Sequence, residues 1–329
     1  MKVCFVTEMG FQGKIPATHE NMRTEFAWMY ALDADHHCLD RLETIIGYDH
    51  VFVIFPKGRV NLNAVGLKIS NKPNPYSNLL ASDWLDKLKQ QNKKVYFMQE
   101  GPHWMYSELE VVDQIHFYNM LTSVDAIFAH NVSDVDYYKG LVPGKPVHVL
   151  PTLMIETLIN DINPITQDKV VIGGNFARWY GGFESYIVAR DFQVPIWGQT
   201  SHARREHEDQ LIQHLPRVQW HDWMKQLSSF KYAIHLMPTV AAGTFSLNCS
   251  YFGIPCIGNK QVDTQRNCQP ELSVDVHDIN SAKMLARRLV EDEEFYNRCS
   301  EEAKKRYAEN YSLDVWRSSI TKILKADEE

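Results

Sequence analysis

Residues 173–182 read GGNFARWYGG, directly after the apolar run Val170, Val171, Ile172. A buried strand that ends in a glycine-rich turn and enters an amphipathic stretch, here Phe183 to Arg190, presents backbone N–H groups and a cation to a phosphate. Gly174, Asn175 and Arg178 are the candidate phosphate contacts. A second turn, Gly243-Thr244-Phe245-Ser246, follows Met237-Pro238 and enters a helix that carries Ser246 and Asn248 in its first turns. Free N–H groups and two hydroxyls there could hold a diphosphate without a metal. Ordinary capping by Thr244 or Ser246 explains the same residues equally well. The third candidate is Glu100, which ends an apolar strand and precedes Gly101-Pro102-His103-Trp104. In open α/β sheets ligands bind beyond the carboxyl ends of the strands. A carboxylate placed there beside Trp104 suits taking a proton from a hydroxyl. Its bland alternative is a strand-end carboxylate that caps backbone N–H groups.

The elements that must position these residues alternate short apolar strands with helical patterns, which predicts parallel sheets covered by helices. In the first half strands are expected at Lys2–Val6, Val51–Phe55, Val95–Met98, Ala126–Ala129 and Val147–Leu150. Helices are expected near Glu20–Ala31, Ser82–Gln91, Asp113–Thr122 and Asp134–Lys139. Residues 56–78 read as a long loop, and Pro151 to Gln167 as a linker. In the second half strands are expected at Lys169–Ile172, Val194–Ile196, Val218–Trp220, Ala233–His235 and Cys256–Ile257. Helices should cover Phe183–Arg190, Asp222–Ser228, Phe245–Phe252, Ser281–Glu291 and, with a break near Asn310–Ser312, Glu294–Leu324. Both halves open with a strand and a glycine-bearing turn, the first at Val3–Val6 with Gly10 and Gly13. The pair suggests two facing Rossmann-like domains, over residues 1–155 and 168–329.

Composition narrows the class. The chain has 329 residues, 44% of them hydrophobic and 12% aromatic, as in a globular protein with two cores of ordinary size. No apolar run approaches the ~18 residues of a membrane span, so no membrane insertion is expected. The opening goes straight into a strand without a signal peptide, and six cysteines show no zinc or redox spacing. Both point to reduced thiols and a cytoplasmic location. A formal charge of −7 argues against a wholly basic nucleic-acid binder. Residues 50–82 nevertheless contain no Asp or Glu, while Lys57, Arg59, Lys68 and Lys72 are present. That basic loop is a candidate polyanion contact, or simply a solvated surface. Trp220, His221 and Trp223 could frame a base or fill the core. Arg204 and Arg205 could reach phosphate, although Glu206 and Glu208 suggest a solvated face. His36-His37, and His202 with His207, form no recognisable metal site, so no metal is expected.

Residues 243–257, a glycine-rich loop entering a helix and then the small-residue turn Gly253-Ile254-Pro255-Cys256-Ile257, resemble the GT-B glycosyltransferases. The order of elements is similar along nearly the whole chain. The resemblance implies the α/β GT-B fold, with a C-terminal helix crossing back to the first domain. It also implies a nucleoside diphosphate sugar, UDP-sugar by preference, as co-substrate held mainly by the second domain, with no tightly bound cofactor. Many retaining members carry a ribose-binding glutamate where this chain has Asn248.

A narrower similarity is to the β-glucosyltransferases of T-even bacteriophages, which modify 5-hydroxymethylcytosine in DNA. Ile15-Pro16-Ala17-Thr18-His19-Glu20, Asn71-Lys72-Pro73-Asn74, Tyr96-Phe97-Met98-Gln99-Glu100 and Gly173-Gly174-Asn175-Phe176 match short motifs of that family in the correct order. The match places Glu100 at the family's catalytic aspartate, giving an inverting base. It places Arg178 one position from a phosphate-binding arginine. A second arginine of that loop is replaced by the glycines near 182. The resemblance implies donor contacts from Gly174, Asn175, Arg178, Gly243, Thr244, Phe245, Ser246 and Asn248, and sugar or acceptor contacts from Glu20, His103 and Trp104. Double-stranded DNA is then the implied acceptor, met by Lys57, Arg59, Lys68 and Lys72 in a host cytoplasm. A glycosyltransferase acting on a surface glycan or lipid-linked saccharide, and a GT-B-shaped binder without turnover, are the alternatives.

Overall fold

The structure is a computed structural model that describes residues 1–7, 12–55, 76–176, 179–199 and 210–327. The chain divides into two compact units. Unit 1 holds Met1–His19, Thr24–Leu150 and Arg317–Glu329, and unit 2 holds Glu20–Arg23 and Pro151–Trp316.

Among the described residues, unit 1 has a seven-stranded sheet of β1 (Val3–Thr7), β2 (Gly13–Lys14), β3 (Asp35–Cys38), β4 (His50–Val53), β5 (Lys94–Met98), β6 (Ala126–Ala129) and β7 (Val147–Val149). The order is β2-β3-β1-β4-β5-β6-β7, parallel throughout except for β2 against β3. Its helices include α1 (Glu25–Ala31), α2 (Tyr76–Gln91), α3 (Val111–Ser123) and α4 (Val132–Leu141). β4 and β6 are buried along their whole length, which is why β6, and β4 after His50, read as apolar runs. Phe5 stacks on Phe52 at 4.7 Å, and Trp28 of α1 packs edge-on to Phe52 and Phe128.

Unit 2 has β8 (Gln167–Ile172), β9 (Ile196–Gly198), β10 (Gln213–His214), β11 (Phe230–His235), β12 (Cys256–Asn259) and β13 (Ser273–Val274). The order is β10-β9-β8-β11-β12-β13, and every neighbour pair is parallel. Counted within the unit, that is the Rossmann order, with its switch point between β8 and β11. Helices α5 (Gly182–Ala189), α6 (Trp220–Leu227), α7 (Thr244–Phe252), α8 (Asp263–Cys268), α9 (Ile279–Glu291) and α10 (Glu293–Asn310) complete it. The last helix, α11 (Leu313–Ala326), begins in unit 2 and continues into unit 1 from Arg317, whose Nε donates to the Ala31 carbonyl at 3.1 Å.

Several elements differ from expectation. The helix expected from Glu20 begins at Glu25, and residues 20–23 belong to unit 2, where the Glu20 carbonyl accepts from Trp220 N at 2.8 Å. The strand expected at Val218–Trp220 is absent, because Trp220 opens α6. Trp220, Met224 and Leu227 recur at helical spacing and bury one face. The strand expected at Val194–Ile196 is displaced to Ile196–Gly198, since Pro195 has no N–H to donate and only its carbonyl is bonded, to Val170 N. β3 has the sequence DHHC and went unanticipated. Its inward residues are His36 and Cys38, and His36 Nε2 lies 2.8 Å from the Thr7 hydroxyl.

The segment after Pro151 is built into unit 2. Leu153, Met154 and Ile155 are buried, and the Glu156 carboxylate accepts from Tyr307 Oη and from Leu313 N at 3.1 Å. All six cysteines are buried, and none is in a disulfide. Burial pushes the thiols of Cys268 and Cys299 up, to about 12 and about 11. No helix among the described residues is long and apolar enough to cross a membrane.

Candidate functional site

In unit 2 the two glycine turns meet at the switch point. β8 ends at Ile172, and Gly173 N donates to the Ile234 carbonyl of β11 at 2.8 Å. A Cβ on Gly173 would lie 2.6 Å from the Phe245 ring and 2.7 Å from His235, so only glycine lets the chain pass there. Gly181, at φ 64, caps α5, and a Cβ on it would lie 1.9 Å from the Leu236 carbonyl oxygen. Ser185 Oγ accepts from Leu236 N at 2.9 Å and fixes the same approach from inside α5.

Phe245 belongs to the other turn. Its ring stands edge-on to His235, 5.2 Å between centroids. Gly243, at φ 73, occupies the cap of α7, and Leu247 N is the first to bond back, to the Gly243 carbonyl at 3.1 Å. The N–H groups of Thr244, Phe245 and Ser246 therefore have no partner within the helix. Three N–H groups at a helix N-terminus, beside a glycine turn at a Rossmann switch point, are an arrangement that can receive an anion.

The hydroxyls of that turn are occupied. Ser246 Oγ donates to the Gly243 carbonyl at 3.0 Å and lies 2.9 Å from Thr264 Oγ1, while Thr244 Oγ1 lies 3.0 Å from Thr152 Oγ1. Ser246 is buried, so what it offers a ligand is its N–H. Asn248, one turn further along α7, is buried with its Oδ1 unpartnered among the described residues. A buried amide oxygen without a donor is costly, and a ligand hydroxyl is one group that would satisfy it.

His235 ends β11 beneath both turns, with Nε2 shut off from solvent and unpartnered among the described residues. Burial holds its pKa down, from the ordinary 6.5 to about 4. Its folded value is the lower one, so the unfolded chain takes up a proton through pH ~6.5 while the folded chain does not until about 4. The stability it contributes is complete above 6.5 and is lost as pH falls through that window. His235→Phe should therefore flatten the fall of melting temperature between pH 6.5 and 4 in calorimetric scans. An unchanged slope would show that His235 does not govern it.

In unit 1, Glu100 follows β5, and the chain turns at Gly101, φ 81. Gln99 Nε2 donates to the Gly101 carbonyl at 2.9 Å. His103 and Trp104 begin a short 3-10 turn, His103–Glu108, and both are half-buried. His103 Nδ1 lies 2.8 Å from the buried carboxylate of Asp134 at the start of α4. His130, at the end of β6, is buried and held neutral, its pKa lowered by desolvation against the opposing charges of Asp134 and Glu100. The carboxyl edge of β5 and β6 thus gathers Glu100, His103, His130 and Asp134. The last is not among the site residues expected from the sequence, although Asn131-Val-Ser-Asp134 is legible as a helix-capping pattern.

Other candidates separate from these groups. Trp220 is buried in the core of unit 2, and His221 is exposed beside Asp161 at 3.4 Å. Arg178, Lys57, Arg59, Lys68, Lys72, Arg204, Arg205, His202 and His207 lie outside the described residues.

No protein-family model matches the chain, and no curated protein does. Solved structures do. The chain is similar to an α-glucosyltransferase in complex with UDP and a 13-mer DNA containing an HMU base, with a TM-score of 0.64 at 12% identity over 99% of each chain. It is similar to sucrose-phosphate synthase from Thermosynechococcus elongatus, TM-score 0.64 at 10% identity over 99% of each chain. TarM from S. aureus, in complex with fondaparinux, α-GlcNAc-glycerol and UDP, gives a TM-score of 0.59 at 10% identity over 87% of this chain and 58% of that one. The chain has the GT-B fold. Identities this low carry the fold alone. The two parallel-sheet units are the features that match those neighbours.

Proposed function

We propose that the protein is a glycosyltransferase that moves a sugar from a nucleoside diphosphate sugar, UDP-glucose by preference, to an acceptor hydroxyl. The observation that carries this is the meeting of the Gly173–Gly174 turn with the N–H groups of Thr244, Phe245 and Ser246, which have no partner within α7, at the unit 2 switch point. UDP-bound structural neighbours support the same reading. The acceptor oxygen attacks C1 of the sugar, the bond from C1 to the diphosphate oxygen breaks, and the nucleoside diphosphate leaves with the electron pair. Backbone N–H groups and Arg178 stabilise the leaving charge, and Asn248 Oδ1 accepts from a donor hydroxyl. Glu100 takes the acceptor proton as the oxygen attacks from the face opposite the diphosphate, and that single displacement inverts C1.

We assign Arg178 to the diphosphate from its place in the glycine turn. Arg178→Ala should weaken UDP binding by ~1.5–3 kcal/mol, the worth of one charge-assisted contact. Calorimetric titration with UDP checks this, and equal affinity in variant and wild type would remove Arg178 from the site.

For the acceptor we propose a 5-hydroxymethylated pyrimidine in DNA. A neighbour of this fold is bound to DNA containing an HMU base, and the segment holding Lys57, Arg59, Lys68 and Lys72 is free of acidic residues. The likeness to phage β-glucosyltransferases rests on the short sequence matches. If these four cations meet phosphates, DNA affinity falls as salt rises, with a slope set by the number of phosphates neutralised. Replacing all four with alanine should flatten the log–log slope and leave UDP affinity alone. An unchanged slope would favour the second reading, transfer to a glycan or glycerol-type acceptor, which the TarM neighbour and its bound α-GlcNAc-glycerol support.

A further inference from the structure

Asp134 is fully buried, and its two oxygens serve different partners. Oδ2 accepts from the N–H of Asn131 at 3.3 Å and from Asn131 Nδ2 at 3.1 Å, closing the N-terminus of α4. Oδ1 is left for His103 Nδ1, 2.8 Å away. The His103 ring also lies against Tyr137, with centroids 4.3 Å apart. An ionised carboxylate only accepts, so the proton of this bond sits on Nδ1, and in the neutral form of the ring Nε2 is the nitrogen left to accept. Nε2 has no hydrogen-bond partner among the described residues. Unlike both nitrogens of His130, it is not sealed from solvent.

Helix capping accounts for one oxygen of Asp134 and leaves the other unexplained. Burying a carboxylate is costly unless both oxygens are bonded, and an arginine or lysine would bond Oδ1 more strongly than a neutral imidazole. What the histidine adds is a second nitrogen of fixed character at the carboxyl edge of β5 and β6, the edge that carries Glu100. A third group orienting a histidine recurs wherever that histidine must meet a hydroxyl in one protonation state.

We propose that Asp134 is a positioning residue that holds His103 in the Nδ1–H tautomer, so that Nε2 accepts a hydrogen bond from a substrate hydroxyl. The identity of that substrate rests on the sugar-transfer reading, and the hydroxyl belongs either to the donor sugar or to the acceptor. Glu100 takes the proton in that reading, and His103 orients the hydroxyl.

The test is nitrogen-15 NMR of the histidine rings in the full chain, with binding and kinetics on two variants. Wild type should show His103 protonated at Nδ1 and unprotonated at Nε2. In Asp134→Asn the two donors of Asn131 claim the amide oxygen, which turns the NH₂ toward His103 Nδ1 and moves the ring proton to Nε2. Asn131→Ala disturbs the same helix cap but leaves Oδ1 on His103, so its tautomer should be that of wild type. Losing one hydrogen bond predicts an effect of about tenfold. If the hydroxyl is the donor's, Asp134→Asn weakens UDP-glucose by that factor and UDP not at all. If it is the acceptor's, both affinities hold and the KM for hydroxymethylated DNA rises instead. Wild-type Nε2 found protonated would overturn the proposal, as would Asp134→Asn matching Asn131→Ala in both affinities and in KM. Failure of wild type to bind UDP-glucose would sink the sugar-transfer reading and the substrate half of the proposal together, while the tautomer result reports on Asp134 by itself.

Discussion

Glu100→Gln is expected to lower kcat for sugar transfer by about 10²–10⁴-fold, the usual contribution of a general base. The amide keeps the shape and most of the hydrogen bonding of the carboxylate but cannot accept the acceptor's proton. UDP affinity should not move, because the diphosphate contacts are assigned to Arg178 and to the N–H groups of unit 2. Rapid-quench turnover with calorimetric UDP binding on the same preparation separates these effects. Near wild-type turnover in Glu100→Gln would remove the residue from catalysis. A product that keeps the donor's anomeric configuration, read by NMR, would remove the inverting mechanism.

Gly181→Ala should be the most damaging single methyl in unit 2. Gly181 sits at φ 64, and an added Cβ would lie 1.9 Å from the Leu236 carbonyl oxygen, a backbone atom with no rotamer to escape into. Left-handed backbone at a non-glycine residue costs ~1–2 kcal/mol, and overpacking a filled site a further ~1–3 kcal/mol. The sum, about 2–5 kcal/mol, should lower the melting temperature of unit 2 by roughly 5–20 °C. It should also weaken UDP, because the clash falls between the glycine turn and β11. Gly140→Ala is the control. It lies in α4, without a positive φ and with nothing within 4 Å of the added Cβ, so it should be neutral or slightly stabilising. Scanning calorimetry of the two variants checks the contrast. Equal melting temperatures would mean that Gly181 is not the close contact described.

The parts legible in the sequence are those where one residue type answers one physical demand. β6 runs over the four residues its apolar run marks, because a strand buried on both faces admits little else. The turns at 173–182 and 243–246 were legible because Gly174, Gly181 and Gly243 meet a demand for positive φ that side chains resist. β3 was not legible, because its inward positions are His36 and Cys38, and a buried histidine looks polar until its partner Thr7 is in place. β10 spans only Gln213–His214, too short for any period to show.

The site divides in the same way. Ser246 reads as a phosphate hydroxyl until Thr264, eighteen residues on, is seen to hold it. Asp134 reads as a helix start until His103, thirty-one residues back, is found on its second oxygen. Long-range pairing decides both, and no local pattern reports it. Glu20 shows the opposite failure. A locally sensible helix start is overridden because its carbonyl is taken by Trp220 N in unit 2.

The central claim is tested most directly by incubating the purified protein with UDP-glucose and either 5-hydroxymethylated or unmodified duplex DNA, then weighing the digested nucleosides by mass spectrometry. The account predicts UDP release with one hexose added to the hydroxymethylated pyrimidine and none to unmodified DNA. UDP-glucose left intact with both DNAs, and no hexose on either, would contradict it.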